Sequence, residues 1–199
     1  MKFFVNFLSA FRIAASFAII PTLMLRWYWA SFILFLLGAL SDWFDGYLAR
    51  KYDVCTKIGG VMDHIGDKLI VVNTLIMLTI MMPVWFIIVP VIIMIARELY
   101  ISGLREFLGT QKIEMPVPKY RFSMGKIKTT FQMVTICSFL LMFALAQFVT
   151  PDTISRGYII SMNMLSQIGI FGIWISLVAS VWSATQYTFT FIEKLKNAQ

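Results

Sequence analysis

Apolar runs alternate with short polar breaks along the whole chain. The runs lie at about 11–25, 30–50, 58–82, 85–104, up to about 149, and 158–182, the last able to continue as helix toward Lys196. Most approach the roughly 20 residues needed to cross a bilayer as a helix. The pattern predicts six transmembrane helices and an all-α integral membrane protein. Residues 1–12 are short, aromatic and lightly charged, which suits the membrane interface before the first span. Arg26-Trp27-Tyr28-Trp29 reads as an interfacial belt. Met82-Pro83-Val84 reads as a tight turn, Pro90 as a kink, and Pro116 and Pro118 as helix blocks in the longest polar loop.

Composition supports that class. Of 199 residues, 59% are apolar, and the mean hydropathy is +0.80, far above the soluble norm. The length predicts one membrane domain over 1–199. The net charge of +7 fits anionic lipid and anionic substrates better than nucleic acid, because the basic residues flank spans. Their distribution also sets orientation. With both termini cytoplasmic, the outer side holds only Arg26 and Arg156, and every other basic residue near a span is inside. This predicts a multi-pass protein of the cell's inner membrane. The N-terminal run lacks an obvious cleavage site and reads as retained membrane structure. Cys55 and Cys137 form no metal pattern and are expected to be free thiols, and a single histidine argues against His-based metal chemistry.

One stretch breaks the apolar pattern with acids. Residues 41–68 read SDWFDGYLARKYDVCTKIGGVMDHIGDK. An ionisable residue inside a span costs roughly 2.5–3.5 kcal/mol on insertion scales, so Asp42, Asp45, Asp63 and Asp67 need a compensating partner. Residues three, four and seven apart share a helix face. Asp42, Asp45, Gly46 and Ala49 therefore form one stripe, and Gly59, Asp63 and Asp67 another. Packed face to face, the stripes would aim four carboxylates at one volume, with small residues leaving room for a ligand. Two divalent cations would balance four negative charges, and hard oxygen ligands suit Mg²⁺ or Mn²⁺. Arg50 adds a positive charge suited to phosphate. The competing reading is a pair of acidic helix ends in water. It does not explain why the acids fall on two small-residue stripes.

The pattern Asp42-x2-Asp45-Gly46-x2-Ala49-Arg50-x8-Gly59-x3-Asp63-x3-Asp67 resembles, at every specified position, the signature of the CDP-alcohol phosphatidyltransferases. The resemblance implies that Asp42, Asp45 and Asp63 bind two metals, with Asp67 sharing that shell and acting as general base. It implies a nucleotide pocket lined by Asp42, Gly46, Ala49, Arg50 and Gly59. It also implies a CDP-linked lipid as donor, CMP as leaving group, and a homodimer. His64 stands where proline commonly follows the third aspartate; it could add a metal ligand or merely fill space, and its helical phase, different from that of Asp63 and Asp67, favours the second.

The runs FRIAASFAIIP, DWFDGYLAR, IARELYISGLREFLG and GKIKTTFQM resemble the members of that family that use glycerol 3-phosphate, so CDP-diacylglycerol and glycerol 3-phosphate are the implied substrates. A dianionic acceptor needs clustered cations. Arg105 and Lys126 are the first candidates, then Arg97 and Lys128, with Arg121 also on that side. Basic residues beside spans are also ordinary topology signals, and Glu98 and Glu106 read as structural partners for nearby arginines. Other acceptors, such as serine or inositol, would use the same chemistry. A transporter using the aspartates is a different class, disfavoured because the acids sit at one face and no inverted repeat is visible. The small residues Gly169, Gly172, Ser176, Ala179, Ser180 and Ser183 suit close helix packing, within one protomer or between two.

Overall fold

Six helices account for the described chain: α1 (Lys2–Met24), α2 (Tyr28–Tyr52), α3 (Lys57–Met81), α4 (Trp85–Thr110), α5 (Met124–Ala146) and α6 (Arg156–Ala198). The computed structural model describes residues 2–52, 57–110, 124–148 and 155–198. The side chains of 2–6, 42–52, 57–58, 124, 126 and 197–198 lie outside that description. Cys55, Pro116, Pro118 and Arg121 therefore fall outside the described residues. So do the side chains of Asp42, Asp45, Ala49, Arg50 and Lys126 and the surroundings of Gly46. No strand occurs among the described residues.

The helices match the predicted runs, with two differences. α1 is helical from Lys2, so the interfacial opening and the first span are one rod. α4 continues to Thr110, through Pro90 and past the predicted end at Leu104. Among the described residues, five helices are long and apolar enough to cross a membrane, and for α2 only Tyr28–Ser41 is apolar. At 1.5 Å per residue that portion covers about two thirds of a hydrocarbon core roughly 30 Å thick. The acidic stripe takes up the rest of α2. Large apolar side chains such as Ile92, Phe171 and Val178 are exposed on the protein surface, as hydrocarbon surroundings allow.

The chain divides into two compact units, one of residues 1–82 and 133–169, the other of 83–132 and 170–199. In the first, α1 packs against both α2 and α3. Its core includes Ala15, Ile19, Leu23, Phe35, Ile70 and Leu78. α1 stops in a Schellman motif. Arg26 adopts φ 60°, its N–H reaches the Leu23 carbonyl at 3.0 Å, and the Trp27 N–H reaches the Thr22 carbonyl at 2.8 Å. These bonds satisfy carbonyls that the helix end leaves open. Ser31 Oγ then donates to Thr22 Oγ1 at 2.9 Å, tying the start of α2 back to α1. Gly169 on α6 faces Phe139 on α5, where an added Cβ would lie 2.6–2.9 Å from ring carbons.

In the second unit the buried positions of α4 include Ile87, Val91, Met94, Ile101 and Leu108. They recur every three, four or seven residues, which makes one stripe. Arg97 Nε donates to the Ser180 carbonyl at 3.2 Å and Nη2 to Ser183 Oγ at 2.8 Å. Tyr100 and Thr188 share a hydrogen bond of 3.1 Å, and Phe107 meets Phe191 with ring centroids 5.8 Å apart. The contacts advance together along both helices, so α4 and α6 run parallel. Ser176 Oγ donates to the Lys128 carbonyl at 3.2 Å. The small residues from Ser176 to Ser183 thus let α4 and α5 approach α6 within one protomer.

Candidate active site

α3 positions two of the four predicted acids. Asp63 and Asp67 are one helical turn apart, as the stripe requires. Both turn toward the same atom. Arg12 Nη1 on α1 donates to Asp63 Oδ1 at 2.8 Å, and it also donates to Asp67 Oδ1. Arg12 Nε donates to Ser41 Oγ at 3.3 Å, and Ser41 Oγ donates to the Gly38 carbonyl at 2.8 Å. One guanidinium therefore joins α1, α2 and α3 where the acidic stretch begins and ends. Ser41 directly precedes Asp42, so the backbone of the first acidic stripe is tied to the second through Arg12.

Burial is uneven across this cluster. The Arg12 side chain is 1% exposed, Asp63 40% and Asp67 38%. A buried guanidinium without partners is very costly, so its bonds are a condition of the fold. Two glycines lie beside it. A Cβ at Gly66 would touch Arg12 Cβ and Cδ at 3.5 Å, and one at Gly38 would collide with Ile70 Cδ1. Asn73 Nδ2 donates to the Ser16 carbonyl at 3.2 Å, a second polar tie between α1 and α3 further along. Gly59 is buried at the start of the Asp63 stripe, while His64 is exposed, in keeping with its different helical phase.

Sequence reasoning counts Arg12 among the inside basic residues and gives it no partner. The signal that marks it is its isolation. A lone ionisable residue among FFVNFLSAFRIAASFAII has to find an opposite charge inside the protein, and the nearest unexplained acids are those of the stripe.

The pair fits a divalent metal by chemistry. Asp63 and Asp67 are hard oxygen donors, one turn apart and both partly exposed, which suits Mg²⁺ or Mn²⁺. Among the described residues no group of three His, Cys, Asp or Glu side chains converges. The predicted partners Asp42 and Asp45 lie on α2 with side chains outside the description.

A second polar cluster lies in the other unit. Glu98 Oε1 accepts from Arg97 Nη1 at 3.1 Å and is ion-paired with Lys128 Nζ. Glu98 falls on the buried stripe of α4, between Met94 and Ile101, which explains its partial burial. The expected structural role for Glu98 is what the fold displays. Two of the predicted acceptor cations, Arg97 and Lys128, are thus already engaged by one carboxylate oxygen. Arg105 differs: it is exposed, its Nη2 donates to Tyr187 Oη at 2.7 Å, and its guanidinium carbon stands 5.0 Å from the Tyr187 ring centroid. Glu106 is exposed.

The chain is similar to known proteins. Over 191 residues the chain is 32% identical to the CDP-diacylglycerol–glycerol-3-phosphate 3-phosphatidyltransferase of Sodalis glossinidius, covering 92% of each chain. It is 33% identical over 187 residues to the enzyme of the same name from Pectobacterium atrosepticum, covering 90% of each. A third relative of that name, from Rickettsia bellii, is 40% identical over 138 residues, which cover 66% of this chain and 71% of that one. The sequence profile described as CDP-alcohol phosphatidyltransferase matches residues 3–182. With a matching family profile over nearly its whole length, and with the aspartates of that signature carried on α2 and α3, the chain belongs to the CDP-alcohol phosphatidyltransferase family.

Proposed function

We infer that this protein transfers the phosphatidyl group of CDP-diacylglycerol to glycerol 3-phosphate, releasing CMP and forming phosphatidylglycerophosphate. The observation that carries the reading is the convergence of Asp63 and Asp67 on one side of α3. It is supported by relatives of that name aligned over about nine tenths of both chains. Asp42, Asp45, Asp63 and Asp67 are the residues that would hold two divalent ions. Mg²⁺ or Mn²⁺ bound there would offset the charge of the diphosphate and of the departing phosphate.

The remaining roles belong to the chain. Asp67 takes the proton from the acceptor hydroxyl as its oxygen attacks the phosphorus that carries diacylglycerol. The bond from that phosphorus to the bridging oxygen breaks, and CMP leaves with the bridging oxygen. Asp42, Gly46, Ala49, Arg50 and Gly59 line the nucleotide, the small residues giving it space. Arg105 and Lys126 lead the set that grips the acceptor phosphate, with Arg97, Lys128 and Arg121 adding positive potential. Arg105 is the most available described member of the set, since Arg97 and Lys128 already share Glu98.

The basic-residue asymmetry supports an orientation with both termini and the aspartates on the cytoplasmic side of the inner membrane, where nucleotide-activated substrates occur. A homodimer is the family expectation, and light scattering of the detergent-purified protein measures it. Function is tested by supplying purified protein with CDP-diacylglycerol, Mg²⁺ and an equimolar mixture of glycerol 3-phosphate, serine and inositol. Mass spectrometry should find phosphatidylglycerophosphate as the dominant product, and EDTA should remove it. Phosphatidylserine or phosphatidylinositol as the main product would move the activity to another branch of the same chemistry.

A further inference from the structure

We propose that Arg12 is a built-in counter-cation of the metal-binding carboxylates, fixed in place, which stabilises the metal-free site and weakens metal binding by standing beside it. The proposal rests on the reading that Asp63 and Asp67 hold divalent ions.

Three observations support it. The first is the asymmetry of burial: the guanidinium is 1% exposed, whereas both carboxylates keep about two fifths of their surface open. A metal ion approaches from the open side, and the guanidinium stays on the closed side. The second is confinement. The Arg12 stem lies where Cβ atoms at Gly66 and Gly38 would meet it at 3.5 and 3.9 Å, and its Nε is bonded to Ser41. The side chain has no exposed direction into which to withdraw when a metal arrives. The third is convergence: among the described contacts a single nitrogen, Nη1, meets one oxygen of each aspartate.

The consequence is a sign. In the metal-free protein two carboxylates one turn apart repel each other, and Arg12 holds them together. In the metal-loaded protein the same guanidinium is a like charge a few ångströms from the metal, which Coulomb's law penalises. One side chain therefore stabilises the first state and opposes the second, and linkage turns that into metal affinity. Arg12 is in this sense a positioning residue, and its effect is read from metal binding without turnover.

The test is a Mn²⁺ titration of detergent-purified protein, followed by thermal unfolding and by the EPR signal of free Mn²⁺, for wild type, Arg12→Lys and Arg12→Gln. Wild type should be stabilised by Mn²⁺. Arg12→Gln should melt lower than wild type in EDTA, recover most of the loss in saturating Mn²⁺, and bind Mn²⁺ about tenfold more tightly. Arg12→Lys, which keeps the charge, should stay closer to wild type in both. If Arg12→Gln does not accumulate in membranes, Arg12→Gln/Asp63→Asn removes one charge of each sign and should restore accumulation; its failure to do so overturns the proposal. So does an equal fall in melting temperature with and without Mn²⁺, or a weaker Mn²⁺ affinity, since either would make Arg12 packing material or an aligning donor. Absence of any Mn²⁺ effect on wild type would instead remove the metal reading, and the proposal with it.

Discussion

Arg105 Nη2 donates to the hydroxyl of Tyr187 at 2.7 Å, and the same guanidinium lies against the Tyr187 ring. The pairing joins α4 to α6 and holds an exposed cation in one orientation. A long flexible side chain otherwise loses rotamer freedom when it captures a phosphate. Here part of that loss is already met in the folded protein. Arg105→Ala should therefore raise the KM for glycerol 3-phosphate by roughly 10–100-fold, the range of a lost charge-assisted hydrogen bond, and leave the KM for CDP-diacylglycerol within about twofold. Tyr187→Phe keeps the ring and loses the hydroxyl, so a rise of only a few fold is expected. Initial rates with each substrate varied in turn measure both, and an unchanged acceptor KM in Arg105→Ala would place the phosphate grip elsewhere.

Asp67 carries two duties in the proposed reaction, and amide substitution separates them from its structural one. In Asp67→Asn the side-chain amide oxygen can still accept from Arg12 Nη1, so the fold should persist. The amide cannot take a proton. Asp67→Asn should lower kcat by roughly 10²–10⁴-fold, the usual contribution of a general base, with the helical circular dichroism unchanged. A kcat near wild type would release Asp67 from the role of base.

Glu98 is the shared anion of two cations, Arg97 and Lys128. Lys128 keeps only 6% of its side-chain surface exposed and Glu98 18%. Breaking a buried pair by removing one partner costs roughly 3–5 kcal/mol, and the partial exposure of Glu98 puts the expected loss near the lower end. Glu98→Ala should unfold earlier in a detergent thermal melt. Glu98→Ala/Lys128→Met should regain part of the difference, because the more buried of the two stranded cations has gone. A double variant no more stable than the single one would mean that Lys128 is not what Glu98 supports.

Gly169 faces a rigid neighbour. A Cβ there would stand 2.6–2.9 Å from three carbons of the Phe139 ring, and Phe139 is itself 1% exposed. Overpacking of this kind costs about 1–3 kcal/mol. Gly169→Ala should lower the melting temperature, and Phe139→Leu in the same background should restore part of it by withdrawing the ring edge. Equal stability of Gly169→Ala and wild type would show that α5 and α6 separate more easily than their packing suggests.

The sequence alone determined the class, the number of helices and which helices carry the acids. Hydrophobic runs near bilayer length admit little besides helices, since backbone groups in lipid must be satisfied within the segment. The three- and four-residue spacing of the acids places them on common faces once helix is granted. What it could not determine was partnership. Arg12 meets Asp63 and Asp67 across sequence separations of 51 and 55 residues, and Glu98 meets Lys128 although each lies among several eligible charges. Local periodicity says which face a charge occupies, while the opposing helix decides what it touches. The length of α4 was likewise decided beyond local pattern, because a helix ends where its neighbours stop supporting it as well as where its hydrophobicity does. Tertiary structure made those choices because a charge taken out of water has to end beside its opposite, and only the packed chain determines which opposite is within reach.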